Sequence, residues 1–204
     1  LLGQVGLPGT NPGDAEGNSS LPAVYLPIGK NPVKATIPVF MWTDAIVRGK
    51  DMTDITDGMR GVKKLDHDIK MIVNSGGNTT INQHSDSNAT DKILRDTSKC
   101  EFIVVCDNMM TPTCRYADIL LPDVLGPETD IACQGGSNGG TTSMLPMHKA
   151  VEPQWDQKTS YEICRLIAKE LGKEQEFTEG RTQLQWLEWC YNETRKKVPQ
   201  LPDW

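Results

Sequence analysis

The sequence predicts an α/β fold, a Rossmann-like parallel sheet flanked by helices, and three features carry that prediction. Phe102-Ile103-Val104-Val105-Cys106-Asp107 is a continuous apolar, β-branched run, the pattern of a strand buried on both faces of a parallel sheet. A second apolar run, residues 69–73, breaks into Asn74-Ser75-Gly76-Gly77-Asn78, a strand entering a glycine turn. Between them, residues 87–96 read as a short helix with Ser87 or Asn88 as its cap. Strand, helix and strand over roughly forty residues make a βαβ unit.

The remaining elements follow in chain order. Residues 1–36 are rich in Gly, Pro, Asn and Ser and read as loop. Residues 38–47 open a helix with Pro38 in the first turn. Val39, Trp42 and Ile46 share one face, and Gly49 ends it. Residues 50–67 are polar and irregular. A third apolar run, 117–121, closes at Pro122. Residues 123–150 are rich in Gly, Ser and Thr and read as a long loop, a length that usually signals function or disorder. Thr159-Ser160-Tyr161-Glu162 fits a capping box. Cys164, Ile167, Ala168 and Leu171 then recur at helical spacing, with Gly172 as C-cap. A last helix spans about 182–197, with Leu184, Leu187 and Tyr191 on one face. The expected division is a loop-rich segment 1–36, an α/β domain 37–172 and a helical appendage 173–204.

Bulk properties exclude several classes. With 204 residues, 37% hydrophobic and 24% charged, the chain has the composition of a globular domain with its own core. A net charge of −6 and a pI near 5.1 argue against a broad nucleic-acid footprint. No apolar run is long enough for a membrane-spanning helix. The six cysteines include no CxxC pair and no companion histidine spacing, so no metal site is expected. Cys106 and Cys164 read as buried thiols. His67, His84 and His148 are isolated and read as supporting groups. Phosphate-loop, GxSxG and HExxH motifs are absent from the sequence, so no catalytic residue is assigned.

Three places carry possible binding chemistry. The turn Ser75-Gly76-Gly77-Asn78 offers backbone N–H groups to a ligand, and Asn78 can both donate and accept; a plain tight turn is the alternative. Asp107, ending the clearest strand, suits either a turn cap or a ligand for ribose hydroxyls or guanine N–H groups. Asp118 reads as structural, pairing with Arg115 or capping a turn.

Taken together, these segments resemble one family. Leu2-Gly3-Gln4-Val5-Gly6-Leu7-Pro8-Gly9 is similar to a loop of molybdopterin oxidoreductases. Ile72-Val73-Asn74-Ser75-Gly76-Gly77-Asn78 resembles their strand and glycine turn, with Thr79 where many members carry proline. Phe102 to Asp107, then Thr111, Thr113, Tyr116-Ala117-Asp118-Ile119-Leu120-Leu121-Pro122 and Glu128, is similar to their central run. Order and spacing agree across residues 1–170. The chain thus resembles an internal fragment of the catalytic subunit of a bacterial molybdopterin oxidoreductase of the dimethyl sulfoxide reductase type.

The resemblance implies a larger multidomain parent used in anaerobic respiration. That parent carries a bis(molybdopterin guanine dinucleotide) molybdenum centre and a [4Fe–4S] cluster, and reduces S-oxides or N-oxides by oxygen-atom transfer. It further implies an iron–sulfur electron-transfer subunit and a membrane anchor subunit as partners, on the periplasmic side of the inner membrane. Carried over by position, Gly77, Asn78, Cys106 and Asp107 contact the cofactor. Thr129, where a relative carries lysine, and Ser160 fall at further contacts. Gly17 and Asn18 match a contact in the early loop. The segments bearing the cluster and the protein ligand to molybdenum lie outside these residues, so the fragment alone is expected to be inactive, to retain no cofactor and to be capable of self-association. The alternative is a non-catalytic structural or interaction module of the same fold without bound cofactor.

Overall fold

The structure, a computed structural model, describes residues 24, 26, 27, 29–82, 84–138 and 141–204, with backbone only across 131–146. Gly17 and Asn18, and most of the N-terminal loop, lie outside the described residues. The chain divides into two compact units. One is residues 29–123; the other is residues 124–204 with the N-terminal residues through 28. The division falls inside the segment that the sequence assigns to a single α/β domain.

Unit 29–123 opens with Pro38, whose carbonyl accepts from Met41 N at 2.8 Å. The 3-10 turn Val39–Met41 leads into α1 (Trp42–Arg48). Ile46 is buried and Trp42 partly so, as expected, but Val39 is 68% exposed because its turn precedes the helix proper. Gly49 ends α1 as its C-cap, as expected, and also starts a second 3-10 turn. A Cβ there would meet the His67 carbonyl oxygen at 2.7 Å, so two backbones pass too close for any side chain. The polar stretch that follows contains a short helix, α2 (Asp54–Asp57). Thr53 caps it by accepting from Thr56 N at 3.1 Å.

The sheet consists of β1 (Met71–Ser75), β2 (Phe102–Asp107) and β3 (Ile119–Pro122). They are parallel, in spatial order β1-β2-β3, with Ser75 opposite Cys106 and Asp107 opposite Pro122. Pro122 is tolerated because β3 is an edge strand of this sheet. Between β1 and β2 run α3 (Thr79–Asn82) and α4 (Ser87–Leu94). Asp86, rather than Ser87 or Asn88, caps α4, its carboxylate accepting from Ala89 N at 2.9 Å.

Ile103 and Val105 of β2 face a core built with Ile46, Leu94, Cys100 and Cys114. The other face differs from the expectation of double burial. Val73 is 64% exposed and Ile119 44%, while the core clusters of this unit gather Ile72, Ile103 and Val105 from the opposite face. His84 joins α1 to α4. Its Nε2 lies 3.1 Å from Thr43 Oγ1 and its Nδ1 3.1 Å from Thr90 Oγ1, which is a structural role.

In the second unit, the expected loop 123–150 contains an antiparallel hairpin, β4 (Ile131–Asn138) and β5 (Thr141–Met147), with a register shift between Gln134 and Ser137. Main-chain pairing across a short connection needs no hydrophobic alternation, which is why the sequence read as loop. Three helices follow: α5 (Ser160–Glu170), α6 (Glu174–Thr178) and α7 (Gln183–Lys197). Gly172 takes φ +67° just after α5, as a C-terminal glycine should. Ala168 is buried, but Ile167 and Leu171 of the expected face are 52% and 71% exposed. On α7 the buried positions are Trp186, Cys190, Tyr191 and Thr194, while Leu184 is 41% exposed. The indole of Trp186 lies under the Arg181 guanidinium at 4.4 Å. Of the expected face, Tyr191 is buried and Leu187 partly buried, so only Leu184 departs from it.

Candidate functional site

The carboxyl ends of β1 and β2 lie side by side. Gly76 N donates to Cys106 O at 2.7 Å, extending the ladder one residue past β1. Gly76 and Gly77 then take φ +75° and +78°, left-handed values that disfavour any residue with a Cβ. A Cβ at Gly76 would meet nothing within 4 Å. Conformation, not crowding, therefore requires glycine, and the turn presents open backbone.

Asn74 holds that turn from below. Its side chain is buried. Nδ2 donates to Gly77 O at 3.0 Å and more weakly to Gly76 O at 3.4 Å. Oδ1 accepts from Thr79 Oγ1 at 2.6 Å and Thr80 Oγ1 at 3.0 Å. Every polar atom of Asn74 is spent on shaping the loop. The sequence points to Asn78 but passes over this residue; an asparagine inside an apolar strand, directly before paired glycines, is the signal that marks it.

Asn78 is placed differently. Its Oδ1 accepts from both Thr113 N at 2.9 Å and Thr113 Oγ1 at 2.8 Å. Thr113 is fully buried and begins the 3-10 turn Thr113–Tyr116. The loop between β2 and Thr113 is tightly turned. Asp107 Oδ1 accepts from Met109 N at 3.2 Å, Met109 O accepts from Thr111 N at 2.8 Å, and Thr111 O accepts from Cys114 N at 3.0 Å. One short loop thus carries Asp107 at its start and the anchor of Asn78 at its end.

Asp107 carries the unusual chemistry. Its Oδ1 makes the turn bond just described. Its Oδ2 is buried yet has no hydrogen-bond partner among the described residues. Leaving a buried acceptor unsatisfied costs about 1–3 kcal/mol, more when it is charged. Two methionines, Met109 and Met110, follow it with 70% and 65% exposure, so exposed apolar side chains stand next to a demanding acceptor in the chain.

Four of the eight expected contacts are therefore neighbours at two strand ends: Gly77, Asn78, Cys106 and Asp107. Cys106 is buried. Thr129 and Ser160 belong to the other unit. The Thr129 hydroxyl accepts from Gln183 Nε2 at 2.9 Å, so it already serves the fold. Ser160 is the first residue of α5, and Thr159 is the cap, accepting from Glu162 N at 3.2 Å. Asp118 is structural, though not through Arg115: its Oδ2 accepts from Ile103 N at 2.7 Å and its own N–H donates to Ile103 O at 2.8 Å, securing the start of β2. No group of three His, Cys, Asp or Glu is gathered as metal ligands among the described residues.

Parallel strands ending in polar turns, with an acceptor left unpaired there, define an α/β unit of the class that holds ligands at its strand ends. The particular family follows from comparison. A family model described as molybdopterin oxidoreductase matches residues 1–170, and the chain belongs to that family. It is 48% identical over 202 residues to dimethyl sulfoxide reductase DmsA of Escherichia coli K12, covering 99% of this chain and 25% of that protein. It is 32% identical over 174 residues to trimethylamine-N-oxide reductase of Vibrio cholerae, covering 81% and 19% respectively. Acetylene hydratase from Pelobacter acetylenicus shares the fold, with a TM-score of 0.54 at 19% identity over 75% of this chain and 18% of that one. The chain spans about a quarter of the length of the dimethyl sulfoxide reductases it matches and about a fifth of the trimethylamine-N-oxide reductase.

Proposed function

We propose that these residues form part of the catalytic subunit of an S-oxide or N-oxide reductase and cradle a guanine-nucleotide arm of its molybdopterin cofactor. The observation that carries this reading is the buried Oδ2 of Asp107, which has no hydrogen-bond partner among the described residues. A carboxylate only accepts, and the guanine edge offers N1–H and N2–H side by side, so the two groups fit in a bidentate manner. Each charge-assisted hydrogen bond would contribute about 1.5–3 kcal/mol. The Gly76–Gly77 turn, held in left-handed backbone, gives a ligand access to main-chain groups. Met109 and Met110 supply polarizable surface against which a flat ring can rest.

When bound, the molybdenum centre supplies two-electron oxygen-atom transfer from substrates of the kind named by the relatives, a dimethyl sulfoxide or trimethylamine N-oxide. The part played by this chain is binding and orientation. Asp107 fixes the base, and Asn78 and the glycine turn fix the approach of the nucleotide. With this reading go an iron–sulfur partner subunit, a [4Fe–4S] cluster carried elsewhere in the polypeptide, and attachment through an anchor subunit on the periplasmic face of the inner membrane.

Calorimetric titration of the chain with GDP tests it. Saturable binding is expected, weaker by at least about tenfold for ADP and for Asp107→Ala, a loss that one good charged contact explains. Undetectable GDP binding, or equal binding by Asp107→Ala, refutes the assignment.

A further inference from the structure

We infer that Thr113 is a positioning residue that locks the Asn78 amide so that it meets a ligand only as a hydrogen-bond donor. This rests on the nucleotide-site reading above and adds a chemical restriction to it: the ligand atom opposite Asn78 must be an acceptor, such as a purine carbonyl oxygen or ring nitrogen or a phosphate oxygen.

An asparagine immediately before a helix ordinarily turns its side-chain oxygen onto the N–H of the helix's third residue. Asn78 stands in that position. It precedes α3, and its carbonyl already accepts from Asn82 N at 3.1 Å. Yet the N–H of the third residue, Ile81, goes to Thr113 Oγ1 at 3.4 Å. Thr113 has taken over the capping role from outside the helix, and the Asn78 side chain is released from it.

Thr113 then returns two donors to one atom. Its N–H can only donate, so the Asn78 atom 2.9 Å away must be the oxygen. With Oγ1 accepting from Ile81 N, its hydroxyl proton is directed to the same oxygen at 2.8 Å. Flipping the amide would put an NH2 group against an N–H and discard both bonds. The amide orientation is thus fixed by the chemistry of the partners, independently of how alike oxygen and nitrogen look. Nδ2 donates to no described residue and is not among the buried unsatisfied atoms, so it remains accessible with its two protons. Asn78 and Asp107 then offer complementary functions at adjacent strand ends, a fixed donor and an unsatisfied acceptor.

The test titrates GDP into the chain and four variants by calorimetry. Asn78→Asp keeps the size and both Thr113 contacts but replaces the outward NH2 with an acceptor oxygen. Binding should weaken by at least about tenfold, although aspartate is an equally good helix cap. Binding that is unchanged or tighter shows that Asn78 does not donate and overturns the inference. Thr113→Val should weaken binding by about fivefold and Thr113→Ser should restore it, as expected for the loss and return of one neutral hydrogen bond. A Thr113→Val variant that binds as tightly as wild type overturns the positioning role. Thermal unfolding of the same variants separates this from simple destabilisation, because Asn78→Asp should melt within a few degrees of wild type. Asp107→Ala is the control on the site. If wild type fails to bind GDP, or Asp107→Ala binds as wild type does, the nucleotide reading falls and this inference with it. If Asp107→Ala loses binding while Asn78→Asp keeps it, only the present inference falls.

Discussion

Replacing Asn74 with alanine should be among the most damaging single changes in the sheet, and its cost can be worked out from its contacts. The side chain is 7% exposed. It makes three hydrogen bonds of 3.0 Å or less, to Gly77 O, Thr79 Oγ1 and Thr80 Oγ1. At about 1 kcal/mol net for each, their loss amounts to about 3 kcal/mol. Thr80 is itself 7% exposed, so its hydroxyl would be left without ready access to water, which raises the figure; the half-buried Thr79 can turn outward, which lowers it. A net destabilisation of about 3 kcal/mol follows. Asn74→Asp separates the two halves of the network. It keeps both acceptor bonds but turns a buried carboxylate oxygen toward Gly77 O, and should cost at least as much as the alanine, about 3 kcal/mol or more. Urea unfolding with an unchanged m-value measures both. Hydrogen exchange of the amides in β1 and α3 localises the effect. The double variant Asn74→Ala/Thr80→Val should be less harmful than the sum of its parts, because the two residues share a bond. If Asn74→Ala costs under about 0.5 kcal/mol, the surface-substitution range, the glycine turn is held by its own backbone and the account of Asn74 is wrong.

Three further outcomes are expected. Asp107→Ala should change stability by less than about 1 kcal/mol, since it gives up one 3.2 Å bond to Met109 N and an unpaired buried oxygen, even as it abolishes GDP binding; a large loss of stability would mean the carboxylate serves the fold. Gly61→Ala should be severely destabilising, because φ is +79° and a Cβ would sit 1.9 Å from the Lys34 carbonyl oxygen. Gly76→Ala, with similar φ but open space, should cost only the left-handed penalty of about 1–2 kcal/mol; thermal melts of the two would refute this if they matched. For Asp57, the Thr56 hydroxyl at 2.6 Å, the Arg48 guanidinium at 2.7 Å and the Thr53 N–H at 2.9 Å hold the carboxyl down from 3.8 to about 2. A depressed carboxylate stabilises above its unfolded value and loses that contribution as pH falls through the folded one. The acid limb of the stability curve between about pH 4 and 2 should therefore flatten in Asp57→Asn.

What the sequence discloses depends on whether the cause is local. The central strand is read to the residue, because a run of β-branched side chains ending in aspartate has few other uses. The glycine turn after β1 is also legible, since left-handed backbone selects glycine wherever the rest of the fold lies. The Gln183 bond to Thr129 and the choice of Trp186 over Leu184 as the buried face of α7 are not legible. The first depends on a partner 54 residues away, and the second on which aromatic side chain stacks with Arg181, which helical spacing alone does not rank. The β4–β5 hairpin escapes for a different reason: it is held together by main-chain pairing that small polar residues permit without announcing it. Thr113 is visible only as a letter in a pattern, because its bond to Asn78 spans 35 residues.

The same distinction separates the residues that build the site from those available to a ligand. Asn74 has both ends of its amide occupied, so it can shape the loop but offers a ligand nothing. Asn78 has its oxygen occupied and its nitrogen accessible. Asp107 has one oxygen in a turn and the other buried without a donor among the described residues. A fold optimised only for stability would satisfy that oxygen or replace the residue with an apolar one, since burying an unpaired carboxylate oxygen is costly. Two half-used polar side chains of opposite hydrogen-bonding sense, on the adjacent carboxyl ends of parallel strands, carry that cost where α/β sheets hold their ligands. On the proposed reading, the unfilled valences, more than the filled ones, are what a ligand would meet: a group that donates to Asp107 and accepts from Asn78.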